Sequence, residues 1–66
     1  MTREQIEKLS KYVAYLYREF DGWKDEPYAA WRARYFLDKI NTVREICEML
    51  GCADVVWSEA RKFYTW

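Results

Sequence analysis

Ile6, Leu9, Val13, Leu16 and Phe20 recur at alternating spacings of three and four. In a helix those positions fall on one side, one above the other, and no strand does this. A second set, Ala33, Phe36, Ile40, Val43, Cys47 and Leu50, repeats the same alternation. Two such seams in 66 residues leave little chain for anything but helices packed on helices. The only proline, Pro27, and the two glycines, Gly22 and Gly51, fall between or after the seams, where breakers belong.

The predicted fold class is therefore all-α: a long antiparallel helical hairpin plus a short third helix, as a three-helix bundle in a single helical domain over 1–66. The helices are expected at about 3–20, 26–50 and 55–64. Thr2 followed three residues later by Gln5 is a capping box for the first. Glu4–Lys8 and Glu7–Lys11 add i,i+4 ion pairs on its solvent face. Asp21-Gly22 should end it, and Asp25 should cap the second helix, with Glu26 and Pro27 in the first turn. Asp54 is expected to cap the third helix, whose Val56, Ala60 and Phe63 share a face beside Trp57 and Tyr64. Lying antiparallel, this helix should cover the distal, C-terminal half of the second.

The second helix is apolar over a wider arc than one neighbour fills. Tyr28, Trp31, Tyr35 and Ile46 lie off its seam on one flank and Leu37 on the other, so it should touch two neighbours. A domain this small buries only about 60% of the surface its unfolded chain exposes. Aromatic side chains can make up part of the deficit, and this chain has four Trp, six Tyr and three Phe. The stripe of Tyr28, Trp31 and Tyr35 is expected to be buried, either by the C-terminal rings Phe63, Tyr64 and Trp66 or by another subunit. A small core also favours association, and a homodimer through the long helices or the aromatic stripe is expected.

Charge is balanced overall, 11 basic against 11 acidic residues, and locally as well. Residues 1–27 carry five and six; residues 28–66 carry six and five. Binding to nucleic acid or to an anionic membrane by bulk electrostatics needs a concentrated basic face, and is disfavoured. Arg3 and Glu4 stand where a signal peptide would begin its apolar run, and no stretch approaches the ~20 apolar residues of a membrane span. A cytoplasmic protein with reduced thiols is expected.

The residues for common enzyme chemistries are missing. Without histidine there is no Ser-His-Asp triad and no Cys-His pair. Two cysteines without histidine do not make a structural zinc site, and no glycine loop cradles phosphate. No catalytic residue, metal or cofactor is expected. Cys47 and Cys52 have a structural reading instead. With Leu50 as the last half-helical residue and Gly51 after it, they occupy the two positions that a Schellman ending brings into apolar contact.

The run from Thr42 to Gly51, with the small Cys47 four residues before the Gly51 corner, resembles the first half of a DNA-binding helix-turn-helix. The resemblance implies that Ser58, Arg61 and Lys62 would face DNA. It departs from the family pattern at Val55 and Val56, where residues that read base edges belong. A protein-binding surface is the leading expectation, as an adaptor or small inhibitor with a protein partner. Its candidate residues are Tyr15, Trp23, Tyr28, Trp31, Tyr35 and Trp66, since Trp, Tyr and Arg dominate binding hot spots. Tyr15 lies nearly opposite the first seam, among Lys8, Lys11 and Arg18, and has no reason to be buried in a monomer.

Overall fold

A computed structural model describes all residues, 1–66. Three α-helices are present, α1 (Arg3–Trp23), α2 (Ala30–Met49) and α3 (Ala53–Ala60), and a 3-10 turn, Pro27–Ala29, leads into α2. There are no strands. The all-α three-helix arrangement read from the two seams is the one observed.

The capping box at the start of α1 is complete. The Gln5 backbone N–H donates to the Thr2 hydroxyl at 3.1 Å, and the Thr2 backbone N–H donates to the Gln5 side-chain oxygen at 2.8 Å. Helix α1 continues past Asp21-Gly22 to Trp23, where the Lys24 N–H bonds the Phe20 carbonyl at 2.9 Å. Gly22 keeps a negative φ and stays within the helix, so it ends nothing.

The second helix starts differently from the expectation. Asp25 does not cap it. The residue before a proline is driven out of the helical region by the pyrrolidine ring, and that residue is Glu26, extended at φ −96°, ψ 103°. The chain then enters α2 through the 3-10 turn, closed by the Ala29 N–H on the Glu26 carbonyl at 3.0 Å, with no side-chain cap.

The other end of α2 follows the Schellman pattern. The Cys52 N–H bonds the Cys47 carbonyl at 2.9 Å, the Gly51 N–H bonds the Glu48 carbonyl at 3.1 Å, and Gly51 sits at φ 74°. Both cysteines are buried. Helix α3 begins at once: the Val56 N–H already bonds the Cys52 carbonyl at 3.0 Å. Cys52 is therefore the N-cap and Asp54, expected there, lies in the first turn instead. A carboxylate in that turn still favours the positive end of the helix.

Helix α1 is central, and both α2 and α3 pack against it. Contact between α2 and α3 is slight, so α3 does not cover the distal half of α2 as expected. Small side chains on α1 permit the close approach of α3. Ser10 and Ala14 are buried, and Ala14 belongs to the core cluster that holds Val56, Trp57 and Ala60. The Ser10 hydroxyl is satisfied by the Ile6 carbonyl at 2.6 Å. The core joins Val13 and Leu16 of α1 to Ile40 and Cys47 of α2, with Leu9, Phe20, Phe36 and Val43 packed around it. Leu50, at the end of the α2 seam, is exposed because α3 turns away toward α1.

No atom lies within 4 Å of a Cβ built on Gly51, so alanine there meets no clash and only the left-handed backbone is penalised. Gly51→Ala should destabilise the fold by roughly 1–2 kcal/mol, read as a lower urea midpoint with an unchanged slope. An unaltered midpoint would mean that the corner does not depend on the positive φ.

Candidate interaction surface

The C-terminal aromatic residues are drawn to α1. The Trp57 indole N–H donates to the Tyr17 hydroxyl at 3.0 Å, and Trp66 lies flat on the Tyr17 ring, centroids 3.8 Å apart and planes 2° apart. The Tyr64 hydroxyl donates to the Asp21 carboxylate at 2.5 Å. Phe63 stays largely exposed beneath Lys11, whose ammonium is 5.5 Å from the ring centroid. The chain's last residues are thus packed, on the side of α1 that faces α3. Trp66 is engaged within the chain.

That placement leaves the stripe on α2 uncovered: Tyr28 is 80% exposed, Trp31 66% and Tyr35 53%. Of the C-terminal rings expected to cover it, Trp66 lies on Tyr17, Tyr64 bonds Asp21 and Phe63 lies beneath Lys11. Tyr15 is drawn partly into the structure: its ring meets Phe36 edge-on at 6.2 Å and lies beside Tyr12 at 6.3 Å. Tyr15 nevertheless stays exposed, at the border of the α1–α2 seam. Tyr35 meets the other side of Phe36 edge-on at 5.2 Å.

Between the two helices these rings frame an open groove of about 430 Å³, lined by Tyr12, Tyr35, Asp38, Lys39, Thr42 and Val43. An adjoining hollow of about 410 Å³ shares Tyr12, Tyr35 and Lys39 and extends to Tyr15, Leu16 and Phe36. Tyr12 and Lys39 are groove residues that the sequence reading passed over. The signal was present: Tyr12 precedes Tyr15 by three, and Lys39 follows Tyr35 by four, both same-face spacings on a helix.

Cations around this face rest on rings and have no carboxylate within ion-pair distance. Lys39 is 5.0 Å from the Tyr35 centroid and Arg18 is 6.0 Å from that of Tyr15. Arg32 lies 4.5 Å from Trp23 and 5.1 Å from Trp31, so it joins the half-buried ring at the end of α1 to the exposed one on α2. The Tyr35 hydroxyl, then Tyr12, pushes the Lys39 ammonium above the ordinary lysine range. Asp38, at the groove's rim, is taken by Arg34 at 3.1 Å, and Glu19 is the carboxylate on the α1 side without a cation.

The helix-turn-helix candidates are placed elsewhere. Ser58 is exposed on α3. Arg61 and Lys62 follow the end of that helix, Arg61 over the Trp66 ring at 5.1 Å and Lys62 paired with Glu59 at 3.0 Å. Of the three positions opening the would-be reading helix, Val56 and Trp57 are buried and Val55 is partly exposed.

Compared with known protein families, with characterised proteins and with solved structures, the chain matches none. No helix is long and apolar enough to cross a membrane. The class the molecule defines is that of a small three-helix protein bearing an open aromatic groove.

Two outcomes follow from the buried contacts. Burial first, and the neighbouring Cys52 thiol second, push the Cys47 thiol from an ordinary 9.0 up to about 11. At mildly alkaline pH native Cys47 should react with a thiol reagent far more slowly than in denaturant, where it is exposed and titrates normally. Equal rates in both would show that the clasp is open in solution.

The second outcome concerns Tyr64 and Asp21. The Tyr64 hydroxyl lowers the Asp21 carboxyl below its ordinary 3.8, offset in part by burial, and Asp21 in turn raises Tyr64 above 10.0. The lowered carboxyl stabilises the fold above 3.8, and that contribution is lost as pH falls through the lower folded value. The raised phenol stabilises the fold below 10.0, and its contribution is lost as pH rises through the higher folded value. Tyr64→Phe should flatten both limbs of the stability profile measured by urea unfolding across pH. A variant that kept the wild-type acid limb would remove Tyr64 as its cause.

Proposed function

We propose that this protein is a small non-enzymatic protein–protein interaction module, an adaptor or small inhibitor, that also self-associates. The observation that carries the reading is the uncovered aromatic face: Tyr12, Tyr15, Trp31 and Tyr35 all stand open on the α1–α2 side, with Arg18, Arg32 and Lys39 resting on rings there. Large aromatics and arginine supply most of the binding energy at protein interfaces: the rings cover a wide area with few rotatable bonds, and the guanidinium presents a planar fork of donors that also stacks on rings. A shallow groove between two helices also suits an apolar helix face better than it suits a water-excluding reaction site. A cytoplasmic setting belongs to the same reading, since Cys47 and Cys52 serve as buried reduced thiols.

The test is capture of partners from host lysate by the wild type beside Trp31→Ala and Tyr15→Ala. Neither ring is buried in the core, so both variants should keep the helical circular-dichroism spectrum while losing proteins that the wild type retains. An identical set of captured proteins in all three would count against the aromatic face.

A further inference from the structure

The groove between α1 and α2 consists of two joined hollows, of about 430 and 410 Å³, and Tyr12, Tyr35 and Lys39 line both. Each volume falls within the roughly 300–1,000 Å³ of small-molecule sites. The aliphatic and phenyl lining is Leu16 and Phe36 in one hollow and Val43 in the other. Tyr12 and Tyr15 stand on the α1 side with ring centroids 6.3 Å apart, and Tyr35 stands on the α2 side, edge-on to Phe36 at 5.2 Å. No residue of α3 or of the C-terminus lines either hollow.

The polar groups of the groove divide into spent and unspent. The Asp38 carboxylate accepts from the Arg34 guanidinium at 3.1 Å, and the Thr42 hydroxyl donates to the Asp38 carbonyl at 2.9 Å. Both are satisfied along α2. Lys39 is half-buried, and its ammonium rests 5.0 Å from the Tyr35 centroid with no carboxylate within ion-pair distance. Tyr35, Tyr12 and Tyr15, in that order, hold its proton above the ordinary lysine range, so it is charged throughout the neutral region. The Tyr12 hydroxyl, unlike those of Tyr17 and Tyr64, bonds no protein group. An ammonium and a phenol are therefore the free groups, and both can donate. An occupant that satisfies them brings an acceptor with a negative charge, and one ammonium matches a single charge. The rings ask for a flat apolar body, since an open groove covers one face of it well.

We propose that the α1–α2 groove is a binding site for a small aromatic monocarboxylate. Its ring lies against Tyr12, Tyr35 and Phe36, and its carboxylate accepts from the Lys39 ammonium and the Tyr12 hydroxyl. The rings around Lys39 keep part of the water away, which strengthens a charge-assisted hydrogen bond. The chain is neutral overall and draws no anion from a distance, so selectivity for charge is set at Lys39 itself. This site goes beyond the reading of the protein as an interaction module. Trp31, on which the capture test turns, lines neither hollow.

Three probes with one ring system test the site: naphthoate, naphthylmethanol and naphthylmethylamine, which are anionic, neutral and cationic at neutral pH. Each is titrated into the labelled protein and followed by nitrogen–proton correlation spectra, with circular dichroism as the control for folding. Naphthoate should shift the amide signals of Tyr12, Tyr35 and Lys39 and saturate at ~millimolar concentration, as suits so small a ligand. The amine should bind at least about tenfold more weakly, the scale of one charge-assisted hydrogen bond. Lys39→Met should weaken naphthoate by a similar factor and leave naphthylmethanol unchanged. Lys39→Arg, which keeps a cation, should bind naphthoate more tightly than Lys39→Met does. Equal affinity for naphthoate and the amine would overturn the proposal, and so would undiminished naphthoate binding by Lys39→Met or the absence of saturable shifts in the wild type. If no probe binds while Trp31→Ala still loses captured proteins, the small-molecule site is refuted and the interaction reading stands.

Discussion

The hydroxyl of Tyr17 accepts the Trp57 indole N–H, and the face of the same ring lies against Trp66. One residue of α1 thereby holds both α3 and the chain's last residue. Trp57 could not be buried cheaply otherwise, since an indole N–H removed from water without an acceptor costs about 1–3 kcal/mol. With Trp57 tied to Tyr17, the short third helix is committed to α1. The small side chains of Ser10 and Ala14 let it approach, and Tyr64 on Asp21 closes the last turn. What α2 lacks follows from this commitment. The one helix whose apolar arc asks for two neighbours receives one.

The Gly51 corner makes the commitment possible. Its left-handed backbone lets the Schellman bonds close, and α3 begins directly after Cys52. The two thiols fill the inside of that corner as small apolar groups. The stretch that resembles a helix-turn-helix is thus a corner whose following helix faces inward: Val56 and Trp57 are core, and the basic residues lie after the helix ends. What the two motifs share is local, a glycine stop and an immediate restart. What separates them is the face that the second helix presents.

Aromatic residues play two roles that the sequence alone does not distinguish. Tyr17, Trp57, Tyr64 and Trp66 bind the bundle together by hydrogen bonds and stacking. Tyr12, Tyr15 and Tyr35 frame an open groove, Trp31 stands exposed on the same helix as Tyr35, and cations rest on these rings without carboxylate partners. Overall neutrality conceals this arrangement. Arg34–Asp38 and Arg44–Glu48 neutralise one another along α2, so that Arg32 and Lys39 remain uncompensated toward one end and Glu45 toward the other.

The sequence by itself determined what depends on neighbours within a turn or two. The alternating seams gave the helices and their inner faces, Thr2 with Gln5 gave the start of α1, and Gly51 between the cysteines gave the corner. Three local readings failed for local reasons. Gly22 kept helical geometry, so α1 ran on to Trp23. Pro27 moved the start of the second helix by forcing Glu26 out of helical geometry, and the Schellman bonds started α3 before Asp54. Only the tertiary structure decided which helix receives α3, and with it which aromatics are covered. That choice rests on a hydrogen bond between residues 40 apart, Trp57 and Tyr17, and on another between residues 43 apart, Tyr64 and Asp21. Helical periodicity tells which side of a helix is apolar. It carries no information about which of two apolar sides a distant ring will reach, because that depends on the shape and hydrogen-bonding groups of a surface assembled from both ends of the chain.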